Sequence, residues 1–244
     1  MTGATTAAAA QKGWRSSMTE IQWDRDEVTS IVVGEFQRFG AFVEGLSGED
    51  LDVTTRCDGW TVRGVIGHLT GTVVDILAGT IGHRPPDVQA EAYGSWTVPQ
   101  FTAALEAATE SLEVHLRSLP DAVWNGPVQG VTGQVFATGV LTLAHELCVH
   151  TDDIDAALGR SSIEDRLWEI SVRWLATEFT RLEYEPFTVE LRGLPRFDIN
   201  GGGPVVATDP ANFVRVATGR MESSAAGIDL DLNIYGRDRR HIGV

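Results

Sequence analysis

Two side chains able to bind a metal ion lie four residues apart in LTLAHELCVHTDDIDAALG, residues 141–159. They are Glu146 and His150. Because an α-helix turns by about 100° per residue, residues at this spacing lie about 40° apart on one face, one turn above the other. A carboxylate and an imidazole placed in this way can bind one ion. A third candidate ligand, His68, lies far upstream in GWTVRGVIGHL, residues 59–69, so the fold has to bring the two segments together.

The HExxH signature of zinc proteases is not met in this segment. The sequence reads HELCVH, with Val149 at the position of the second histidine. His145 and His150 are five residues apart, which places them about 140° apart around a helix, so they cannot face the same ion. We therefore expect His145 to support the ligands or to lie at the surface.

His68 shares its predicted helix face with apolar residues, and a lone histidine on such a face is usually a hydrogen-bonded core residue. Glu146 changes this interpretation, because a carboxylate on an apolar face is costly unless it is paired or bound to a metal. One Glu and two His in a helical bundle are the type of set that carboxylate and imidazole metal sites use.

Four long segments have the spacing of apolar residues that predicts α-helices. They are residues 23–46, 61–81, 95–119 and 134–158. We expect Thr61 to cap the second helix, the stretch GHRPPDV (82–88) to end it, and Gly159 to end the fourth. The helices predict a mainly α fold built on a four-helix bundle. The first and third connections are long enough for a crossover instead of an up-and-down order.

The pattern changes after the fourth helix. A fifth helix is predicted over residues 163–183, and DPANFVRVATGR, residues 209–220, predicts a short helix capped by Asp209. Polar and apolar residues alternate in FTVELRG (187–193) and in IDLDLNIYG (228–236), which predicts strands. This part of the chain is therefore expected to form a small C-terminal α/β domain.

We divide the chain into three parts on these grounds. Residues 1–18 are expected to be a disordered N-terminal tail, with Met18 as an alternative start. Residues 19–160 are predicted to form the metal-binding helical bundle. Residues 161–244 are predicted to form a linking helix and the small α/β domain.

The charge of the chain excludes some partners. The net charge is −15, from 19 Lys and Arg against 34 Asp and Glu, which argues against nucleic acid and against an anionic membrane surface. The two cysteines, Cys57 and Cys148, form no disulfide framework, so we expect a cytoplasmic protein. Its partner would be a small-molecule substrate, and the sequence does not decide between a monomer and a homodimer.

The two ligand-bearing segments resemble a known family. GWTVRGVIGHL is similar to the GW…HL signature of the DinB-like metalloenzyme superfamily, although Gly64 replaces the acidic residue of that signature. HELCVHTDDIDAALGR, residues 145–160, resembles the second block of its actinobacterial branch, the mycothiol-dependent maleylpyruvate isomerases. The TGR sequence at residues 218–220 is similar to a motif in the C-terminal domain of that branch.

The resemblance implies a DinB-like bundle in which His68, Glu146 and His150 bind a divalent metal. Two nitrogens and one carboxylate oxygen suit zinc, although nickel, cobalt or iron would also fit. The family further implies mycothiol as the thiol cofactor, since zinc lowers the pKa of a bound thiol. Asp153 matches an aspartate that would orient a ligand, and Arg220 is a candidate anchor for a substrate carboxylate. Neither cysteine is expected to be the nucleophile.

Three functions follow from these observations. The first is a metal-dependent, mycothiol-using transferase or isomerase that acts on a small electrophile, with or without a carboxylate. The second is a metal-dependent isomerase, cyclase or hydrolase of the same fold that uses no thiol. The third is a non-catalytic metal-binding stress protein.

Overall fold

The computed structural model of the chain describes residues 24–128 and 131–238. The predicted N-terminal tail and the alternative start at Met18 lie outside these residues. The chain divides into two compact units, Asp24–Leu167 and the part from Trp168 onward. The domain boundary that the sequence suggests after residue 160 stays a prediction.

The first unit contains the four long helices that the sequence predicts, together with two short ones. In chain order they are α1 (Arg25–Glu44), α2 (Val62–Ala78), α3 (Pro86–Ala92), α4 (Val98–Ser118), α5 (Asp121–Trp124) and α6 (Phe136–Leu158). Thr61 occupies the N-cap position of α2, but its side chain makes no capping hydrogen bond. Gly159 ends α6 in the left-handed conformation, with φ of 64°, as expected for a residue without a Cβ.

The long helices form a bundle with diagonal connections. Helix α1 packs against α4 and α6, and α2 packs against the same two helices. Consecutive helices α1 and α2 therefore lie across the bundle from each other, so the first connection crosses over, as its length allows. Apolar side chains from all four helices fill the interior, among them Phe36, Ile66, Phe101, Leu112 and Leu141. Burial of such side chains supplies most of the stability of a bundle.

The prediction that GHRPPDV (82–88) ends the second helix is corrected by the structure, because α2 ends earlier, at Ala78, and part of this segment belongs to helix α3. Gly79 ends α2 with φ of 69°, and Pro86 then begins a new helix, where its fixed φ and missing N–H fit the first turn. This short helix packs along α2. A Cβ on Gly67 would lie 3.0 Å from Tyr93 Cβ, and one on Gly71 would lie 3.0 Å from Gln89 Cβ. The two glycines therefore allow the backbones to approach closely.

The second unit contains the predicted α/β module. Helix α7 (Asp165–Arg181) leads to strands β1 (Phe187–Leu191), β2 (Phe197–Ile199) and β3 (Val205–Thr208), followed by α8 (Pro210–Ala217) and α9 (Ile234–Asp238). The sheet order is β2-β1-β3, with β1 antiparallel to β2 and parallel to β3. Asp209 caps α8 by accepting a hydrogen bond from the Asn212 N–H at 2.9 Å. A mainly α fold with a small α/β C-terminal part is thus confirmed.

One strand prediction in this unit is wrong. In IDLDLNIYG, residues 228–233 form irregular chain with a bend at Leu230, and Ile234 to Gly236 already belong to α9. Ile228, Leu232 and Ile234 are buried, so the alternation reports which side chains face the interior. It does not indicate whether the backbone is hydrogen-bonded to a neighbouring strand, because a paired strand and an unpaired segment can both bury alternate residues.

None of the helices in the described ranges is long and apolar enough to cross a lipid bilayer.

Candidate metal centre

The three candidate ligands from α2 and α6 lie together inside the first unit. The Oε2 atom of Glu146 lies 3.3 Å from His150 Nε2 and 3.7 Å from His68 Nε2. One nitrogen from each imidazole and one carboxylate oxygen all lie within 4.8 Å of one another. Two ligands bound to zinc at about 2.0–2.1 Å with tetrahedral angles are about 3.3–3.4 Å apart. The 3.3 Å separation falls in this range and the 3.7 Å separation is slightly longer, so the cluster is compatible with one small divalent ion.

His150 is oriented by Asp153, which lies one turn further along α6. The Nδ1 atom of His150 lies 2.9 Å from Asp153 Oδ2. A carboxylate can only accept, so Nδ1 carries a proton and donates it. Nε2 then points toward Glu146. This is the position that the sequence suggests for Asp153, and the side chain is fully buried.

Asp153 is in turn held by the loop that precedes α2. The Arg56 Nε donates to Asp153 Oδ1 at 2.6 Å, and the same guanidinium contacts Asp152 Oδ2. The thiol of Cys57 donates to Asp153 Oδ2 at 3.1 Å. The loop is closed at its base, where the Thr55 N–H donates to the Trp60 carbonyl at 3.0 Å. Its closure brings Arg56 and Cys57 to the carboxylate.

His68 is oriented by Gln89 of α3, at 2.9 Å between His68 Nδ1 and Gln89 Oε1. The Gln89 Nε2 donates to Asp75 Oδ2 at 2.8 Å. Asp75 also receives two hydrogen bonds from Arg84, at 2.5 and 3.1 Å. A chain of polar groups thus runs from the buried His68 to the half-exposed Arg84.

Trp60 covers the two histidines. Its ring centroid lies 5.2 Å from that of His68 and 6.1 Å from that of His150. The indole N–H donates to Asp87 Oδ1 at 2.9 Å, which ties the ring to α3. The ring therefore limits the space beside the imidazoles, as an amphipathic side chain with one satisfied donor can do.

The surroundings of the cluster favour a positive charge between its donor atoms. Burial alone would raise the pKa of Glu146, but hydrogen bonds with His150 and His68 hold that pKa well below its usual range. Burial alone would lower the pKa of His150, but hydrogen bonds with Asp153, Cys57 and Glu146 raise it well above its ordinary value. A proton or a metal cation can supply the charge that this arrangement stabilises.

The other candidate residues lie elsewhere. His145 is fully buried, so the surface position considered for it is wrong, and Cys148 is fully buried as expected for a small apolar side chain. Arg220 follows α8 in the second unit, where its guanidinium lies 3.4 Å from the Thr218 carbonyl oxygen. Its role as a substrate anchor stays a prediction.

Sequence reasoning missed most of the residues that support the ligands. A signal for α3 was present, since Pro86 followed by Asp87 is a typical helix start. The Gly67 and Gly71 spacing also indicates a close helix contact. No local pattern links Arg56 to Asp153, because the pair is 97 residues apart along the chain.

Comparisons with known proteins agree with this architecture. The sequence profile described as "Mycothiol maleylpyruvate isomerase N-terminal domain" matches residues 32–155. Among solved structures, a crystal structure of the mycothiol-dependent maleylpyruvate isomerase aligns with a TM-score of 0.63 at 15% identity, covering 84% of this chain and 92% of that chain. A mutant of the same enzyme aligns with a TM-score of 0.62 at 15% identity, covering 85% and 93%. A search of curated proteins gave no match.

Proposed function

Since the chain belongs to the mycothiol maleylpyruvate isomerase family, whose N-terminal domain it contains, we propose that it is a mycothiol-dependent isomerase with one divalent metal ion at His68, Glu146 and His150. The membership confirms the family that the sequence motifs indicate, and with it an isomerase-type enzyme. What we propose beyond this membership is that the chain binds a metal, acts on a particular substrate class and itself uses mycothiol.

The observation that supports the metal is the set of partners that the two Nδ1 atoms have. Both Nδ1 atoms point away from the cluster, toward Gln89 and Asp153. In the neutral imidazoles, both Nε2 atoms therefore offer lone pairs to the same space as the Glu146 carboxylate. Three acceptors facing one another are unfavourable unless a proton or a metal cation lies between them. Oriented imidazoles of this kind are typical of zinc sites.

Two histidines and one glutamate leave at least one position open to an outside ligand, as catalytic zinc sites do. A metal bound there would supply a thiolate at neutral pH, because it lowers the pKa of a coordinated thiol. The chain itself would hold the ligands in place through Asp153 and Gln89. Trp60, beside both imidazoles, would restrict access of water.

The substrate class follows from the isomerase assignment. We propose a small, conjugated, carboxylate-bearing alkene, because a carbonyl next to the double bond accepts the electron pair when a thiol adds. The thiol sulfur forms a bond to one alkene carbon, the remaining single bond rotates, and the carbon–sulfur bond breaks. The thiol returns unchanged, which distinguishes an isomerase from a transferase that releases the conjugate.

The test combines metal analysis with an assay. We expect purified protein to contain about one divalent ion per chain, as a single three-ligand site requires. Cis-alkene dicarboxylic or keto acids should isomerise only when mycothiol and metal are both present. Turnover without thiol would favour a thiol-independent enzyme of this fold. Consumption of the thiol would indicate a transferase, and bound metal with no exchangeable ligand would indicate a non-catalytic protein.

Asp153→Asn is expected to lower metal affinity by about 10–100-fold, the usual cost of losing a partner that orients a ligand. Arg56 donates to one carboxylate oxygen and His150 to the other. An amide has a single acceptor oxygen, so either orientation sets its NH₂ group against a donor. Chelator competition with zinc measures the change.

The control is Asp155→Asn on the same helix. Asp155 is also buried and accepts hydrogen bonds from the Ser162 N–H and hydroxyl, away from the ligands. Its replacement should reduce stability but leave the zinc affinity of the folded protein unchanged. Equal zinc affinity in Asp153→Asn and the wild type would exclude Asp153 as an orienting residue.

A further inference from the structure

Gln89 lies between a metal-ligand candidate and a buried ion pair. Its side chain is only 3% exposed. It contacts His68 Nδ1 through Oε1 at 2.9 Å and Asp75 Oδ2 through Nε2 at 2.8 Å. The Thr72 hydroxyl also lies 3.4 Å from Oε1. Each end of the amide therefore has a hydrogen-bonding partner.

Asp75 determines which way the amide faces. It is 3% exposed, and although burial would raise its pKa, hydrogen bonds from Arg84 and Gln89 hold that pKa below its usual range. The side chain is therefore a carboxylate that can only accept. The NH₂ group of Gln89 must point toward it, and the carbonyl oxygen must point toward His68.

The amide orientation then selects the tautomer of His68. Facing a carbonyl oxygen, Nδ1 must carry the proton, and Nε2 keeps its lone pair toward Glu146. In the opposite orientation, the NH₂ group would force the proton onto Nε2 and block that atom as a ligand. The distinction depends on Asp75, which does not itself contact His68.

We infer that Gln89 is a positioning residue that holds His68 in its Nδ1–H tautomer, with the Asp75–Arg84 pair as the anchor that orients the amide. The inference rests on the proposed metal site. It assigns a role to α3, which the Gly67 and Gly71 contacts bring against α2. It also distinguishes the two imidazoles, because His68 donates to a neutral amide and His150 to a carboxylate.

The test reverses the direction of the hydrogen bonds that link Asp75, Gln89 and His68. In Asp75→Asn, the oxygen is expected to stay at the shorter contact with Arg84, which is 2.5 Å from Oδ1. The NH₂ group then faces Gln89 and turns its amide around. We expect zinc affinity to fall by about 10–100-fold. In metal-free protein, nitrogen-15 NMR should show the His68 proton moving from Nδ1 to Nε2, with His68→Ala identifying the signal.

The double variant Asp75→Asn/Gln89→Glu is the rescue. A carboxylate at position 89 accepts both from the amide introduced at position 75 and from His68, and the total charge is that of the wild type. We expect the Nδ1–H tautomer to return and zinc affinity to recover to within about threefold, which reverses most of a 10–100-fold loss. If Gln89 only filled space, zinc affinity would not recover in the double variant, because that variant changes two buried positions instead of one.

Three outcomes overturn the inference. They are an unchanged Nδ1–H tautomer in Asp75→Asn, an unchanged zinc affinity in that variant, and a double variant no better than the single one. If Asp75→Asn does not fold, Gln89→Met takes its place. Methionine has a side chain of similar length but lacks the acceptor for His68, and the same two properties, zinc affinity and the His68 tautomer, are measured. The metal site is tested separately, because His68→Ala lowers zinc affinity only if that site is correct, whereas the tautomer is measured without metal.

Discussion

Glu146→Gln is expected to lower the affinity for a divalent ion by about 10³-fold or more, beyond the 10–100-fold cost of losing a supporting partner. The substitution keeps the shape of the side chain but removes the only anionic donor among the three candidate ligands. A neutral amide oxygen binds zinc weakly, and the amide NH₂ group can donate to an imidazole nitrogen instead. Isomerase activity should fall with the metal content.

The matched control is Glu110→Gln, which makes the same chemical change at an exposed position on α4. It should bind metal and turn over substrate as the wild type does. Metal content measured after dialysis against limiting chelator separates the two variants. Full metal content in Glu146→Gln would mean that the ion lies elsewhere in the chain, and the proposed function would lose its structural basis.

Gly67→Val is expected to destabilise the protein by about 3 kcal/mol, which is the upper end of the usual cost of overpacking. A Cβ at this position lies 3.0 Å from Tyr93 Cβ and 3.1 Å from the Ala90 carbonyl oxygen. The backbone of α3 has to move away, and the two γ-carbons of valine enlarge the displacement. Gln89, which α3 carries, then loses its contact with His68.

Gly40→Val on α1 provides the comparison, since a Cβ there meets no atom within 4 Å. Its stability should stay within about 0.5 kcal/mol of the wild type, because glycine and valine differ little in helix propensity. Urea unfolding measures both variants, and chelator competition measures their zinc affinity. Equal stability of the two variants would show that α3 is not held by close packing at Gly67.

The metal-ligand candidates could be predicted because they depend on local periodicity and on two recognisable motifs. The helical spacing of Glu146 and His150 is a property of one segment, and so is the apolar face around His68. The end of α6 at Gly159 followed in the same way from a glycine, whereas α2 ends at Ala78, three residues before the predicted end. The predicted strand over residues 228–236 failed because strand formation needs a pairing partner, which alternation of side chains does not provide.

The sequence by itself determined the bundle, the α/β tail and the three residues most suited to bind a metal. Only the tertiary structure decided which atom of each histidine faces the others. That choice depends on Gln89, 21 residues from His68, and on the loop containing Arg56, 97 residues from Asp153. Such pairs form where helices and loops approach in space. Hydrogen-bond direction between distant groups therefore depends on packing, which residue spacing within one segment does not specify.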